Sequence, residues 1–282
     1  MDDKPESFLE IIVHDIKLEP GLTGLCAGYE QGVWRHESFA SHLMEWLLEF
    51  ALNWSEYEKI RGSNATALMR RAANVVYNSE KYSKRGEFGE LLLHVAMRQV
   101  FDTEPAISKI YYKSAVNDTV KGFDAVHVVV NGNEIELWIG EAKFYEDIND
   151  AITDVSKELV EHTKRDYLRN EFALITNKLD DKWSHSEHLK KLLSPNTSLD
   201  EVFSRICIPV LLTYNSNAIA NHISMSDEYK KAIEEELLCF YDKFTKRDLP
   251  KSLRIHLLLV PLGNKKLLVD ELNKKLKAMQ TI

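Results

Sequence analysis

Three residues stand out by type and spacing: Asp124, and then Glu141 with Lys143 two positions beyond it. Two carboxylates and an ammonium suit phosphodiester hydrolysis. The carboxylates can hold one or two Mg2+ ions, with Mn2+ as the other candidate. The metal polarises the phosphate and lowers the pKa of a bound water. Hard, oxygen-rich ligation favours these ions over Zn2+. The lysine can orient the water and offset charge in the transition state. The competing interpretation is a surface ion pair of Lys143 with Glu141 or Asp124, worth little. The letters alone are common, so the segments that carry them must decide.

Residues 122–130 (GFDAVHVVV) and 134–143 (EIELWIGEAK) are expected to be strands. Asn131-Gly132 between them suits a type I′ turn, which needs positive φ at both positions. That turn sets Val130 opposite Asn133 and Asp124 opposite Ile139, diagonal to Glu141 at about 7–8 Å. Side chains alternate along a strand. Asp124, Val126, Val128 and Val130 therefore share one face with Ile135, Leu137, Ile139, Glu141 and Lys143. An aliphatic face ends in three charges at one tip, which is costly unless they pair or bind metal. His127 falls on the other face and reads as structural.

The remaining elements must position this hairpin. Helices are expected over 37–53, 64–78, 86–101, 147–163, 226–246 and 265–279, from apolar spacing of the kind seen in Leu43, Trp46, Leu47 and Phe50. Short strands are expected at 110–112, 173–176 (ALIT), 207–214 and 254–262, and residues 8–34 look irregular or strand-rich. Strands alternating with helices predict an α/β fold, a mixed sheet flanked by helices.

Composition narrows the class. The chain is 44% hydrophobic and 28% charged with a net charge of −8, an ordinary globular balance. No apolar run is long enough for a membrane span. The opening MDDKPESFLE lacks the basic-then-apolar order of a signal peptide. Cys26, Cys207 and Cys239 have no CxxC spacing and suggest a reducing compartment. A cytoplasmic protein is expected, with Cys207 and Cys239 in the core. Residues 1–50 carry ten acids and three bases, a local charge of −7. Residues 1–80 are therefore expected to be an acidic, partly helical extension that binds a partner or regulates the site, and residues 81–282 the catalytic domain. A uniformly basic nucleic-acid binder is excluded, but a local one is not. Lys59 to Arg85 holds seven bases against Glu80. Within it, Arg70, Arg71, Lys84 and Arg85 are candidates for DNA phosphate contacts. His185 and His188 lack any metal-site context, and Lys157, Lys164 and Arg165 read as a solvated face.

The Gly-Phe-Asp and Gly-Glu-Ala-Lys segments resemble the PD-(D/E)xK nuclease superfamily, with Phe123 where the family usually has proline. The resemblance implies a restriction-endonuclease-like sheet in which Asp124 and Glu141 bind metal and Lys143 assists the attacking water. It also implies a glutamate on the preceding helix. Gly-Glu-Phe-Gly-Glu offers Glu87 and Glu90; family placement favours Glu90, and the helical wheel favours Glu87. The GEFGELLLH helix, GFDAVHV strand and IGEAKFY strand, across residues 80–165, look like HamA (DUF1837), the effector of Hachiman anti-phage defence. That resemblance implies a metal-dependent DNase working with a HamB-type superfamily 2 helicase. A near-neutral nuclease with an acidic N-terminal segment is poorly equipped to find DNA alone, and a partner could supply affinity. The alternatives are a catalytically silent scaffold of the same fold, or a stand-alone restriction or repair nuclease.

Overall fold

A computed structural model describes residues 4–76, 86–108, 122–132 and 134–282. Its centre is a seven-stranded mixed sheet in the order β1-β2-β9-β8-β7-β6-β5. The strands are β1 (Glu10–Asp15), β2 (Gly21–Cys26), β5 (Glu104–Ser108), β6 (Ala125–Asn131), β7 (Glu134–Phe144), β8 (Ile206–Asn215) and β9 (Arg254–Leu262). A small separate hairpin joins β3 (Tyr29–Glu30) to β4 (Val33–Trp34). Strands β2, β9, β8 and β7 run parallel, while β1 at one edge and β6 and β5 at the other pair antiparallel. The central ICIPVLLTY and IHLLLVPL runs are buried on both faces. Near-continuous apolar sequence is what a covered parallel strand requires.

The helices divide into two layers. Helices α1 (His36–Glu45), α2 (Leu47–Ala51), α3 (Trp54–Tyr57), α4 (Ala65–Val76) and α5 (Gly86–Phe101) precede the hairpin. Helices α6 (Ile148–His162), α7 (Arg165–Lys178), α8 (Ser186–Leu192) and α9 (Leu199–Phe203) lie between β7 and β8. Helices α10 (Asn217–Ala220) and α11 (Asp227–Thr245) precede β9, and α12 (Lys265–Thr281) follows it. Helix α5 packs on β6 and β7 and is backed by α1 and α2, with α12 packed on α1 and α4. Covered on both sides, α5 buries residues around its whole circumference from Phe88 to Arg98. Its approach to the sheet is close: a side-chain carbon on Gly89 would stand 2.8 Å from Phe144 Cβ, and one on Gly140 2.7 Å from Leu93. Helices α6 and α11 contact each other; α6 covers β7 and β8, and α11 reaches β1 and β2. Ile148, Ala151, Ile152, Val155 and Leu159 form the buried stripe of α6.

The expected mixed α/β sheet with flanking helices is the architecture observed. Residues 10–26 of the acidic N-terminal segment are built into the sheet as β1 and β2. The hairpin register differs from expectation. Asn131 pairs with Glu134, so paired positions shift by two, and Gly132 carries the positive φ of +62°. Asn131 stays in the strand, and the turn begins at the glycine. An even shift leaves every side chain on its expected face. ALIT is not a strand but the interior of α7, because Leu168, Phe172 and Ile175 recur at helical spacing and bury together. Cys239 is exposed, not core; it sits two residues past buried Leu237, well round the helix. Cys207 is buried as expected. Residues 37–53 divide into α1 and α2, with the break at Trp46. Strand β5 was not anticipated. The IYY segment, Lys84 and Arg85 lie outside the described residues.

Candidate active site

Strand β7 runs past the start of β6. Its last residues keep β8 as a partner, with Glu141 beside Val210 and Lys143 beside Leu212, and they leave β6 behind. Asp124, just before β6, closes this junction. Its backbone N–H donates to Gly140 O at 2.8 Å, and its Oδ2 accepts from Ala142 N at 2.9 Å. The carboxylate thus stands in for the strand that has ended and satisfies an amide that would otherwise be orphaned. Continuing the observed register places Asp124 directly opposite Glu141, closer than the diagonal expected from sequence.

Both carboxylates are buried, Asp124 at 6% and Glu141 at 2% exposure. Glu141 is held by His162, whose Nδ1 lies 2.5 Å from its Oε1. Burial pushes the Glu141 carboxyl up to about 7; the Asp124 charge adds to the rise, and His162 and Lys143 oppose it. Burial works against a charged Lys143, but its ion pair with Glu158 and the nearby charges of Glu141 and Asp124 outweigh that and raise its pKa. His162 is also raised: desolvation lowers it, and Glu141 more than compensates. Asp124, Glu141 and Lys143 are therefore close enough to perturb one another, on the sheet face that α6 covers.

Helix α6 supplies two of these contacts. Glu158 and His162 are four residues apart, hence neighbours on one helix face, and they meet Lys143 and Glu141, themselves two residues apart on one strand face. The segment leading into Asp124 is gripped by α7. Phe123 N donates to Glu171 Oε1 at 3.4 Å, and a side-chain carbon on Gly122 would stand 2.9 Å from the same oxygen. The His162 ring stacks on Tyr167 at 4.4 Å and meets Phe123 edge-on at 5.5 Å. Among the described residues no three His, Cys, Asp or Glu side chains form a metal-ligand cluster. At this tip the Asp124 and Glu141 carboxylates stand with Glu158 and His162 close by.

The family model that matches the chain is HamA, over residues 5–276. The chain belongs to the HamA family. A search of curated proteins returns no match.

The other residues anticipated in this HamA-family chain lie on or beside the helices. Glu90 is buried and Glu87 half-buried on α5. That helix meets β7 through Gly89 and Leu93, on the face of Ala142 and Phe144 rather than that of Glu141. Arg70 and Arg71 are exposed on α4, where Arg70 donates to Ile282 O and Arg71 pairs with Glu56. His185 precedes α8, 3.6 Å from Glu104. Lys157 pairs with Asp154 on α6, and Lys164, between α6 and α7, pairs with Glu161. No helix among the described residues is long and apolar enough to cross a membrane.

Glu158, His162, Tyr167 and Glu171 went unrecognised in the sequence. One signal was available: acidic and histidine residues at four-residue spacing on the helix directly after the Glu-Ala-Lys strand. It is weak, because the same letters describe a solvated helix face.

Proposed function

We propose that this HamA-family chain is a metal-dependent DNA endonuclease effector of Hachiman anti-phage defence, acting with a HamB-like superfamily 2 helicase. The observation that carries the catalytic part is the juxtaposition of two buried carboxylates and an ammonium where β7 outruns β6. The defence role and the helicase partner rest on family membership.

Asp124 and Glu141 are the residues that would hold Mg2+, or Mn2+. The donor chemistry fits: two hard carboxylates side by side suit an ion that keeps several waters. Burial is the main cause of the raised Glu141 carboxyl and the Asp124 charge adds to it; a divalent ion beside both carboxylates would favour their ionised forms. When bound, such an ion polarises the phosphate and acidifies the attacking water. Asp124 is fixed by Ala142 N and cannot swing away. Lys143 keeps its proton, so its ammonium can orient the water and stabilise charge on the phosphate as the bond to the leaving oxygen breaks. Release of Lys143 from Glu158 would accompany phosphate entry. Glu90 on α5 is assigned a supporting part, following the superfamily pattern. Arg70 and Arg71, with Lys84 and Arg85, are assigned phosphate contacts, and residues 1–55 are assigned helicase docking or shielding of the site.

The test is Mg2+-dependent DNA cleavage by the complex of this chain with its helicase, using Glu141→Ala and Lys143→Ala. We expect each substitution to lower cleavage about a hundredfold or more, with complex formation unchanged. Full cleavage by both variants would overturn the assignment. Cleavage of specific sites by the chain alone would point instead to a stand-alone nuclease.

A further inference from the structure

We infer that His162 is a positioning residue that fixes the Glu141 carboxylate for metal binding, an inference that rests on the nuclease reading above. Glu141 has three side-chain torsions, and a metal ligand that flexible must be held by something other than its own backbone. Its Oε1 is taken by His162 Nδ1 at 2.5 Å. With Glu141 ionised the ring nitrogen is the donor, so one carboxylate oxygen is tied and its orientation is set.

The ring is itself held from two directions. Tyr167, in the first turn of α7, lies flat against it with centroids 4.4 Å apart and planes 12° apart. Phe123, next to Asp124, meets it at 73°. The backbone under the imidazole is equally fixed, because His162 closes α6 beyond the buried Val155 and Leu159. The same phenylalanine donates its N–H to buried Glu171. One aromatic stack thus links the carriers of both carboxylates: His162 holds Glu141, and Phe123 leads into Asp124. Partners of this kind, hydrogen-bonded to a metal ligand, set the direction of its lone pairs, and their loss commonly lowers metal affinity about 10–100-fold.

A histidine that merely fills space would be replaceable by any residue that keeps the stack. Three substitutions in the full chain separate the two roles, read by calorimetric titration with Mn2+ and by thermal unfolding. His162→Phe keeps the ring and removes the donor; we expect Mn2+ binding to weaken about tenfold or more in a chain that still unfolds cooperatively. His162→Asn places an amide N–H near the position of Nδ1 and loses the stack; binding is expected within a few-fold of wild type. His162→Leu is a second donor-free variant, with the same expectation as His162→Phe, should the larger ring not fold. Wild-type or tighter Mn2+ binding by a folded donor-free variant, with binding lost in Glu141→Ala, would overturn the inference alone. Wild-type binding by Glu141→Ala would remove the nuclease reading itself, and this inference with it.

Discussion

The β6–β7 hairpin has buried charge on both of its faces, and the two faces treat it differently. On the α5 face, Glu49 meets Arg98 through two contacts, of 2.6 and 3.3 Å. His94 stands 3.3 Å from the same carboxylate and bonds His127, which bonds Thr103. Arg98 also donates to Thr103 O. One carboxylate meets one permanent cation, and His94, His127 and Thr103 extend the network. Burial pushes the Glu49 carboxyl up, but His94 and Arg98 overcome it and leave it lowered. His127, fully buried beside His94 and Arg98, is held well below the ordinary histidine range by desolvation and by their charges. On the α6 face, Asp124, Glu141 and Glu158 share Lys143, and the Glu141 carboxyl is raised to about 7. The first cluster matches its one carboxylate with a permanent cation. The second sets three carboxylates against one permanent cation, Lys143, with His162 on Glu141. A divalent ion placed among the second set would add the positive charge that favours its ionised carboxylates.

The largest effect that could break this comparison lies on the α5 face. Arg98→Met leaves Glu49 buried without its cation, and we expect a loss of about 3–5 kcal/mol in denaturant unfolding. The double substitution Glu49→Leu with Arg98→Met should recover most of it, since an apolar pair removes both charges. A loss under about 1 kcal/mol in the single variant would mean that the cluster is not the matched network described.

A smaller effect of opposite sign belongs to the α6 face. A carboxyl whose folded pKa is raised above its unfolded value contributes stability that is full below the unfolded pKa and lost as pH rises through the folded one. For Glu141 that window runs from about pH 4.5 to about 7. Glu141→Gln should therefore stabilise the metal-free chain at pH 8 by about 1–3 kcal/mol and flatten the fall in stability from pH 5 to 8. A destabilised Gln variant at pH 8 would show that the carboxylate is satisfied already.

The pH response below neutrality sharpens the contrast. His256 is driven down to about 4 by burial first, with the charges of His14 and Arg254 adding, and His127 is lowered as well. The unfolded chain takes up these protons near pH 6.5 and the folded chain does not. Stability should fall as pH drops from about 6.5 towards 4, by about 3 kcal/mol for His256. His256→Gln should remove part of that slope, visible in unfolding midpoints at pH 5 and 7; an unchanged slope would exclude His256 as its source.

Much of the candidate site was legible because it is local. Asp124, Glu141 and Lys143 share a face by strand alternation alone, and that parity survives a register shift of two. The central strands and most helices announce themselves by apolar runs and spacing. What sequence could not supply was contact between distant segments. Glu158 and His162 look like any solvated helix face until α6 lies across β7, and the Glu49–Arg98 pair joins residues of different helices. ALIT has strand-like letters, but its neighbours Leu168 and Phe172 set a helical period. Cys239 sits among apolar residues, yet it falls on the outer side of α11.

The most direct test of the proposed metal site is the thermal-unfolding midpoint of the isolated chain at pH 8, with and without millimolar Mg2+. A site that binds only when folded gains about 2.7 kcal/mol when the ion is present at a hundred times its dissociation constant. The midpoint should rise in the wild type and in the Glu49→Leu, Arg98→Met variant, and stay fixed when Asp124→Asn and Glu141→Gln are combined. An equal rise in that last variant, or no rise in the wild type, would contradict the metal-site assignment.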